Sequence, residues 1–278
     1  DWDLGFPCAE DRMEIILNFG KFMKVSDLGN ADFDTVTANT AKNAPFESWV
    51  YDNPFGHLDS TAIGRWWDHT NGIPVSLKKV YLVSKGLDVL GRELGTSKFQ
   101  ILDYKNNTFY IRFSDLKKIN VIEMEIKRDT AYKYVHLSFN NGGKVNYFEP
   151  EKEKWDLLFT KYTELLYTSE GVPMWYSVVS VLINEKYMQA AMVKTDDFLN
   201  LTEEILNDST KVLKPYTNNR NAIGHEWKFF LLDESKWVIY ANRKFLVKST
   251  SGFTYKLQFT SFEDVGVKGN PKFEFQKL

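Results

Sequence analysis

The residues with chemistry to offer are four histidines, six methionines, one cysteine and a large set of aromatic rings. His57, His69, His136 and His225 form no His-x-x-x-His pattern, and Cys8 stands alone, so no zinc signature is present. His57 and His69 flank Asp59, Trp66, Trp67 and Asp68, a polar-aromatic stretch that could hold a metal or another ligand. His136 lies in a run of period two, where a histidine satisfied inside a strand is the plainer reading. Met174, Met188 and Met192 carry thioethers that could act as soft ligands, although methionine more often fills gaps in a core. Trp66-Trp67 and Trp175-Tyr176 could stack on a sugar or a porphyrin or meet a partner, and as core anchors they would need neither. A Gly-x-Ser-x-Gly elbow and a phosphate-binding loop are both missing from the sequence. These residue types assemble no catalytic constellation, and the expectation is a protein that is not an enzyme.

The elements that must position these groups follow from composition. The chain has 278 residues, 43% of them hydrophobic and 26% charged, ample to offset the entropy of folding. A net charge of −2 argues against a nucleic-acid partner, and no apolar run reaches the length needed to span a bilayer. Cys8 has no internal disulfide partner and reads as a buried free thiol. The aromatic content of 15% favours pleated, half-buried strands, hence an all-β fold with few short helices. Residues 196–213 are the best helix candidate, with Phe198, Leu201, Ile205 and Leu206 at helical spacing, and a second short helix is expected near Asp32. Tyr132 to Phe139 alternates as a strand and is followed by Asn141-Gly142-Gly143, a hairpin signal. Residues 178–192 are apolar and β-branched early, and read as strand before Asn184. The chain opens inside a strand, which predicts residues upstream of Asp1, where a lipid-anchor cysteine would lie.

An ordered series of matches points to an internal repeat. Trp2-Asp3-Leu4-Gly5-Phe6 recurs as Trp155-Asp156-Leu157-Leu158-Phe159, and Ala31-Asp32-Phe33 as Asp196-Asp197-Phe198. Trp49-Val50-Tyr51 then corresponds to Trp227-Lys228-Phe229, and Lys79-Val80-Tyr81-Leu82-Val83 to Lys244-Phe245-Leu246-Val247. Each copy ends in a basic-aromatic strand, Lys98-Phe99-Gln100-Ile101-Leu102 against Lys256-Leu257-Gln258-Phe259. The expectation is two antiparallel β-domains in tandem, residues 1–115 and 116–278, the first diverged and short of its N-terminal strands.

Three segments carry a resemblance to a known family. They are residues 155–162, then Ile223-Gly224-His225-Glu226-Trp227-Lys228, and the closing Tyr255-Lys256-Leu257-Gln258-Phe259 through Gly266-Val267-Lys268-Gly269-Asn270-Pro271-Lys272-Phe273-Glu274-Phe275. This pattern resembles the HmuY family of haem-binding proteins of Bacteroidota over residues 130–278, with the first half similar to a diverged copy. The resemblance implies an all-β protein, exported as a lipoprotein to the outer membrane surface or periplasm, that captures haem between two axial histidines or methionines. Thr160-Lys161-Tyr162 follows the Trp-Asp motif without a histidine; Met174, Met188 and His225 are the candidate ligands. Two functions follow from different classes. One is a haem- or porphyrin-binding surface protein. The other is an interaction subunit that has lost its haem ligands and holds an outer-membrane protein partner through β-edges or the loop aromatics Trp66, Trp67 and Trp175. Asp34-Thr35-Val36, Asp59-Ser60-Thr61, Asp129-Thr130-Ala131 and Asp208-Ser209-Thr210 fit the tripeptide pattern of O-glycans in that setting, or simply turns.

Overall fold

Strands whose alternate residues are large and apolar must bury one face, and both halves of this chain solve that with an antiparallel sheet clad in loops. The computed structural model describes residues 1–53, 60–70, 73–116, 120–264 and 267–278. Unit 1 comprises residues 1–151 with 161–177, and unit 2 residues 152–160 with 178–278.

Unit 1 begins with β1 (Leu4–Pro7), β2 (Ile16–Leu17), β3 (Lys24–Asp27), α1 (Ala38–Asn43) and β4 (Trp49–Tyr51). A small hairpin follows, β5 (Trp67–Thr70) and β6 (Ile73–Ser76), then β7 (Val80–Ser84), β8 (Thr96–Lys105), β9 (Thr108–Asp115) and β10 (Ile122–Lys127). β11 (Tyr134–Ser138) and β12 (Lys144–Asn146) close the unit. Its main sheet runs β10-β9-β8-β7-β3-β4, and a second sheet runs β12-β11-β1-β2. One face of the main sheet presents Val25, Tyr81, Val83, Phe99, Ile101 and Phe113 to the core shared with β1 and β11. The opposite face carries Val80 and Leu82 under Phe33 and Val36.

A long ribbon, β13 (Leu157–Tyr167) and β14 (Pro173–Ile183), has its tip in unit 1 and its base in unit 2. Unit 2 continues with β15 (Gln189–Lys194), β16 (Val212–Thr217), the hairpin β17 (Lys228–Leu231) and β18 (Lys236–Ile239), β19 (Arg243–Lys248), β20 (Thr254–Asp264) and β21 (Val267–Lys277). Its sheet runs β16-β15-β19-β20-β21. Met188, Ala190, Met192, Phe245, Val247, Leu257 and Phe259 line one face, while Ala191, Val193 and Leu246 meet Phe198 and Leu201 on the other.

The two Trp-Asp segments are clasped in the same way. Asn18 donates its backbone N–H to the Asp3 carbonyl (2.8 Å) and Nδ2 to the Trp2 carbonyl (2.7 Å). Asn184 donates its N–H to the Asp156 carbonyl (3.0 Å) and Nδ2 to the Trp155 carbonyl (2.9 Å). A further shared detail is a lysine beneath a loop ring. Lys98 Nζ lies 4.5 Å from the Phe33 ring centre and donates to the Phe33 carbonyl; Lys256 Nζ lies 5.3 Å from the Phe198 ring and donates to the Leu199 carbonyl.

Three expectations are corrected. The boundary after residue 115 falls instead after Glu151, because β10 extends the unit 1 sheet and β11 pairs with β1, so the expected 116–278 domain loses its first strands to unit 1. Residues 196–213 form no α-helix; they hold a 3-10 turn, Glu203–Asn207, and the start of β16. Asp197 and Asp208 each accept a nearby backbone N–H, from Asn200 and Thr210, and these local turns compete with a helix while the apolar side chains still reach the sheet. The short helix expected near Asp32 is present as a 3-10 helix, Phe33–Thr35, capped by the Asp32 side chain, with α1 following from Ala38. Finally, Trp227 does not correspond to Trp49, which begins a sheet-edge strand. Trp227 precedes a hairpin and its carbonyl accepts from Tyr240 beyond it; in unit 1 Trp66 does the same with Leu77.

Candidate functional site

Unit 2 carries an apolar groove of about 320 Å³, at the small end of ligand sites. β13 supplies Leu157 and Phe159 to one wall; β20 and β21 supply Tyr255, Leu257, Phe273 and Phe275 to the other. These two strands pair with Leu257 opposite Phe275 and Phe259 opposite Phe273, so every second side chain faces the same way. The Phe159 and Phe273 rings stack across the groove at 5.3 Å, 23° from parallel. Met188 and Val247 form the floor, and Met188 is only 2% exposed. Phe159 and Phe275, at 40% and 63% exposure, leave ring surface open to solvent. At one end Asp156 accepts the Thr250 N–H at 2.8 Å. The lining is rings, aliphatics and one thioether, with the Asp156 carboxylate and the Ser249 hydroxyl both already engaged; its chemistry is that of holding an apolar surface.

The sequence candidates are distributed unevenly around this groove. Met188 reaches its floor. Met174 is 46% exposed on β14, in the part of the ribbon that belongs to unit 1. His225 is half-buried before Trp227 and is not among the groove residues. Trp66 and Trp67 are 1% and 7% exposed and belong to the unit 1 core. The Trp66 Nε1–H donates to the Met13 carbonyl at 2.8 Å. Burial removes both rings from the surface-contact role, since neither presents a face to a partner. Trp175 is half-buried, its ring 5.7 Å from Tyr51.

None of the remaining described candidates lines the groove. His136 is buried on β11, with Trp2 and Phe148 against its ring at 4.6 and 5.6 Å. His69 is exposed on β5, and its expected companions His57 and Asp59 lie outside the described residues. Among the described residues no group of His, Cys, Asp and Glu is placed to hold a metal ion. Cys8 is buried, and burial pushes its thiol up to about 11. Thr35, Thr130 and Ser209 are exposed; Asp129 and Asp208 beside the last two accept backbone N–H groups, while Asp34 beside Thr35 donates its own N–H to Asp32.

Haem, which the resemblance implies, is a test these residues meet only in part. The groove suits the apolar faces of a porphyrin ring, and Met188 offers one soft atom beneath it. Two-sided gripping of an iron needs a second ligand facing the first, and the other groove walls carry no imidazole or thioether. The two-ligand haem site is therefore not assembled in this groove.

Residue reading alone missed two features. Phe159, Tyr255, Phe273 and Phe275 were legible as alternating rings but not as the lining of one groove, because their meeting depends on which strands lie side by side. Lys228 is the other. It is 5% exposed, donates to the Val179 carbonyl at 2.7 Å, and has the rings of Trp227, Trp237 and Phe262 within 4.6 to 4.9 Å of Nζ. Burial pushes it down to about 8.

A family model described as HmuY protein matches residues 103–275, from within β8 to the last residues of β21. No curated protein and no solved structure matches the chain. The matched stretch is well over half of the sequence and ends on the strand that walls the groove, and the chain belongs to the HmuY family.

Proposed function

We propose that this protein is a non-enzymatic surface binder of planar apolar ring ligands, the haem and porphyrin class, serving iron acquisition, with the unit 2 groove as its seat. Family membership supports the class of ligand, and one observation carries the location: exposed Phe159 and Phe275 flank a ring-lined groove with a thioether at its floor. Bound haem would supply its iron and its visible chromophore. Phe159, Phe273 and Phe275 would hold the ring by contact area, and Met188 would fill the floor beneath it. The setting is the outer membrane surface or periplasm of a Gram-negative cell, as an exported lipoprotein that could carry O-glycans. Among the described residues no helix is long and apolar enough to cross a membrane.

The test is a Soret titration of the whole chain with haemin and, separately, with metal-free protoporphyrin. Ring-driven binding predicts comparable affinity for both. Phe159→Ser and Phe275→Ser each weaken it by about tenfold, the scale of one partly buried ring, while Met188→Leu changes little. Unshifted spectra at saturating ligand overturn the proposal. A second reading, an interaction subunit that holds an outer-membrane protein partner, is favoured by the edge of β13 that has no described strand beside it.

A further inference from the structure

The main sheets of the two units share an order. Reading inward from one edge, unit 1 runs β4-β3-β7-β8-β9 and unit 2 runs β16-β15-β19-β20-β21. The lysine-under-ring contacts set Lys98 against Lys256, and the strand registers then carry the match outward. Leu82 faces Lys98 as Leu246 faces Lys256; Val83 faces Val25 as Val247 faces Ala190; Phe99 faces Phe113 as Leu257 faces Phe275. Stepping back from Val25 and Ala190 places Met23 with Met188. The clasped Trp-Asp segments place Phe6 with Phe159.

The same positions have opposite fates. In unit 1, Phe6 and Phe113 are 0% and 2% exposed; in unit 2, Phe159 and Phe275 are 40% and 63% exposed. The difference is one strand. β11 lies along β1, with Leu137 opposite Leu4 and Val135 opposite Phe6. Beyond its end Phe139 packs against Phe113 at 4.9 Å and Phe99 at 6.2 Å. Val135, Leu137 and Phe139 thus fill in unit 1 the space that is the groove in unit 2. β1 has strands on both sides, β11 and β2, whereas β13 has β14 as its one hydrogen-bonded strand neighbour among the described residues.

We propose that the unit 2 groove and the open edge of β13 form a strand-accepting seat, which takes an extended apolar strand from a partner protein as β1 takes β11. This rests on the interaction reading above and names its partner chemistry. The occupant runs antiparallel to β13, pairs with the backbone N–H and C=O of Leu157 and Phe159, and sets apolar side chains at alternate positions into the groove. A backbone N–H just past the occupant's end meets Asp156, as the Phe139 N–H meets Asp3 Oδ2 at 2.7 Å in unit 1. Backbone pairing gives affinity, and the ring-lined groove selects large side chains at every second residue.

The chain's own β11 segment is the probe. A fluorescent peptide of residues 132–140 is titrated against the whole protein by anisotropy, with hydrogen exchange read at β13. The expected result is saturable binding that protects the amides of Leu157 and Phe159, the two that face this edge, and is weakened tenfold or more by Phe159→Glu or Phe275→Glu, both at exposed positions. A Leu137→Pro peptide, which lacks a ladder N–H, should bind at least tenfold more weakly. No binding, or binding unaffected by both glutamate variants, overturns the proposal. Dimerisation of the chain that both glutamate variants abolish overturns the partner assignment in favour of a second copy. Porphyrin uptake without peptide binding overturns this seat and leaves the ring-ligand reading standing; peptide binding without porphyrin uptake does the reverse.

Discussion

Lys228→Met removes one buried ammonium while keeping a stem of similar length, and its effect on stability should depend on pH in a defined direction. The lysine is 5% exposed, and burial takes it from 10.5 to about 8. That drop corresponds to about 3 kcal/mol of preference for the neutral amine in the folded state. Its folded value lies below its unfolded one, so between about 8 and 10.5 the unfolded chain holds the proton that the folded chain has released. Wild-type stability therefore gains from this residue as pH rises through that window, and the cost of burying the charge is present in full below it. The three ring faces oppose the shift, by up to about 2 kcal/mol where desolvated. The variant also leaves the Val179 carbonyl without its donor, a penalty of about 1–3 kcal/mol that does not vary with pH. The absolute difference at neutral pH is thus a near balance, and the informative quantity is how it changes. Urea unfolding of both proteins, followed by tryptophan fluorescence, should show the variant's stability relative to wild type falling by about 1–3 kcal/mol from neutral pH to about 10.5, the lower figure if the rings offset most of the shift. Every other titrating group cancels in that comparison. A difference that stays flat across the window refutes the reasoning.

Removing the clasp side chains should destabilise both units: Asn184→Ala takes the Nδ2 donor from the Lys152 and Trp155 carbonyls, the second of which keeps the Thr250 hydroxyl, and should cost about 1–3 kcal/mol by denaturant midpoint, with Asn18→Ala similar at the Trp2 carbonyl. A loss confined to one of the two would show that the shared geometry is not shared energetics. Gly86→Ala should fail more severely, because φ is +72° there and a Cβ would stand 2.1 Å from the Lys21 carbonyl oxygen. Left-handed backbone alone costs about 1–2 kcal/mol, and a thermal shift smaller than that of an exposed Gly91→Ala control, where φ is +78° with nothing in reach, would contradict the clash.

Much of the architecture is readable from side-chain types. Rings and β-branched residues at alternate positions specify strands whatever their neighbours, and Asn141-Gly142-Gly143 specifies a turn because Gly142 and Gly143 adopt positive φ, +81° and +89°. The family resemblance rested on Trp155, Trp227, Phe273 and their surroundings, and the matched stretch covers them. Helical spacing in residues 196–213 misled because a loop can lower Phe198 and Leu201 onto a sheet as effectively as a helix face can. The domain cut after 115 misled because nothing local in residues 134–138 says that their partner is β1, more than a hundred residues earlier.

The residues themselves determined that this chain is all-β and that its second half resembles the HmuY family. Only tertiary structure decided that Trp66 and Trp67 are core, that Met174 and Met188 belong to different units, and that Phe159 shares a groove with Phe273 and Phe275. The reason is that alternation is a property of one strand, whereas exposure depends on whether another strand lies beside it. Phe6 and Phe159 stand in matching five-residue motifs, and a single neighbouring strand separates a sealed core from an open surface.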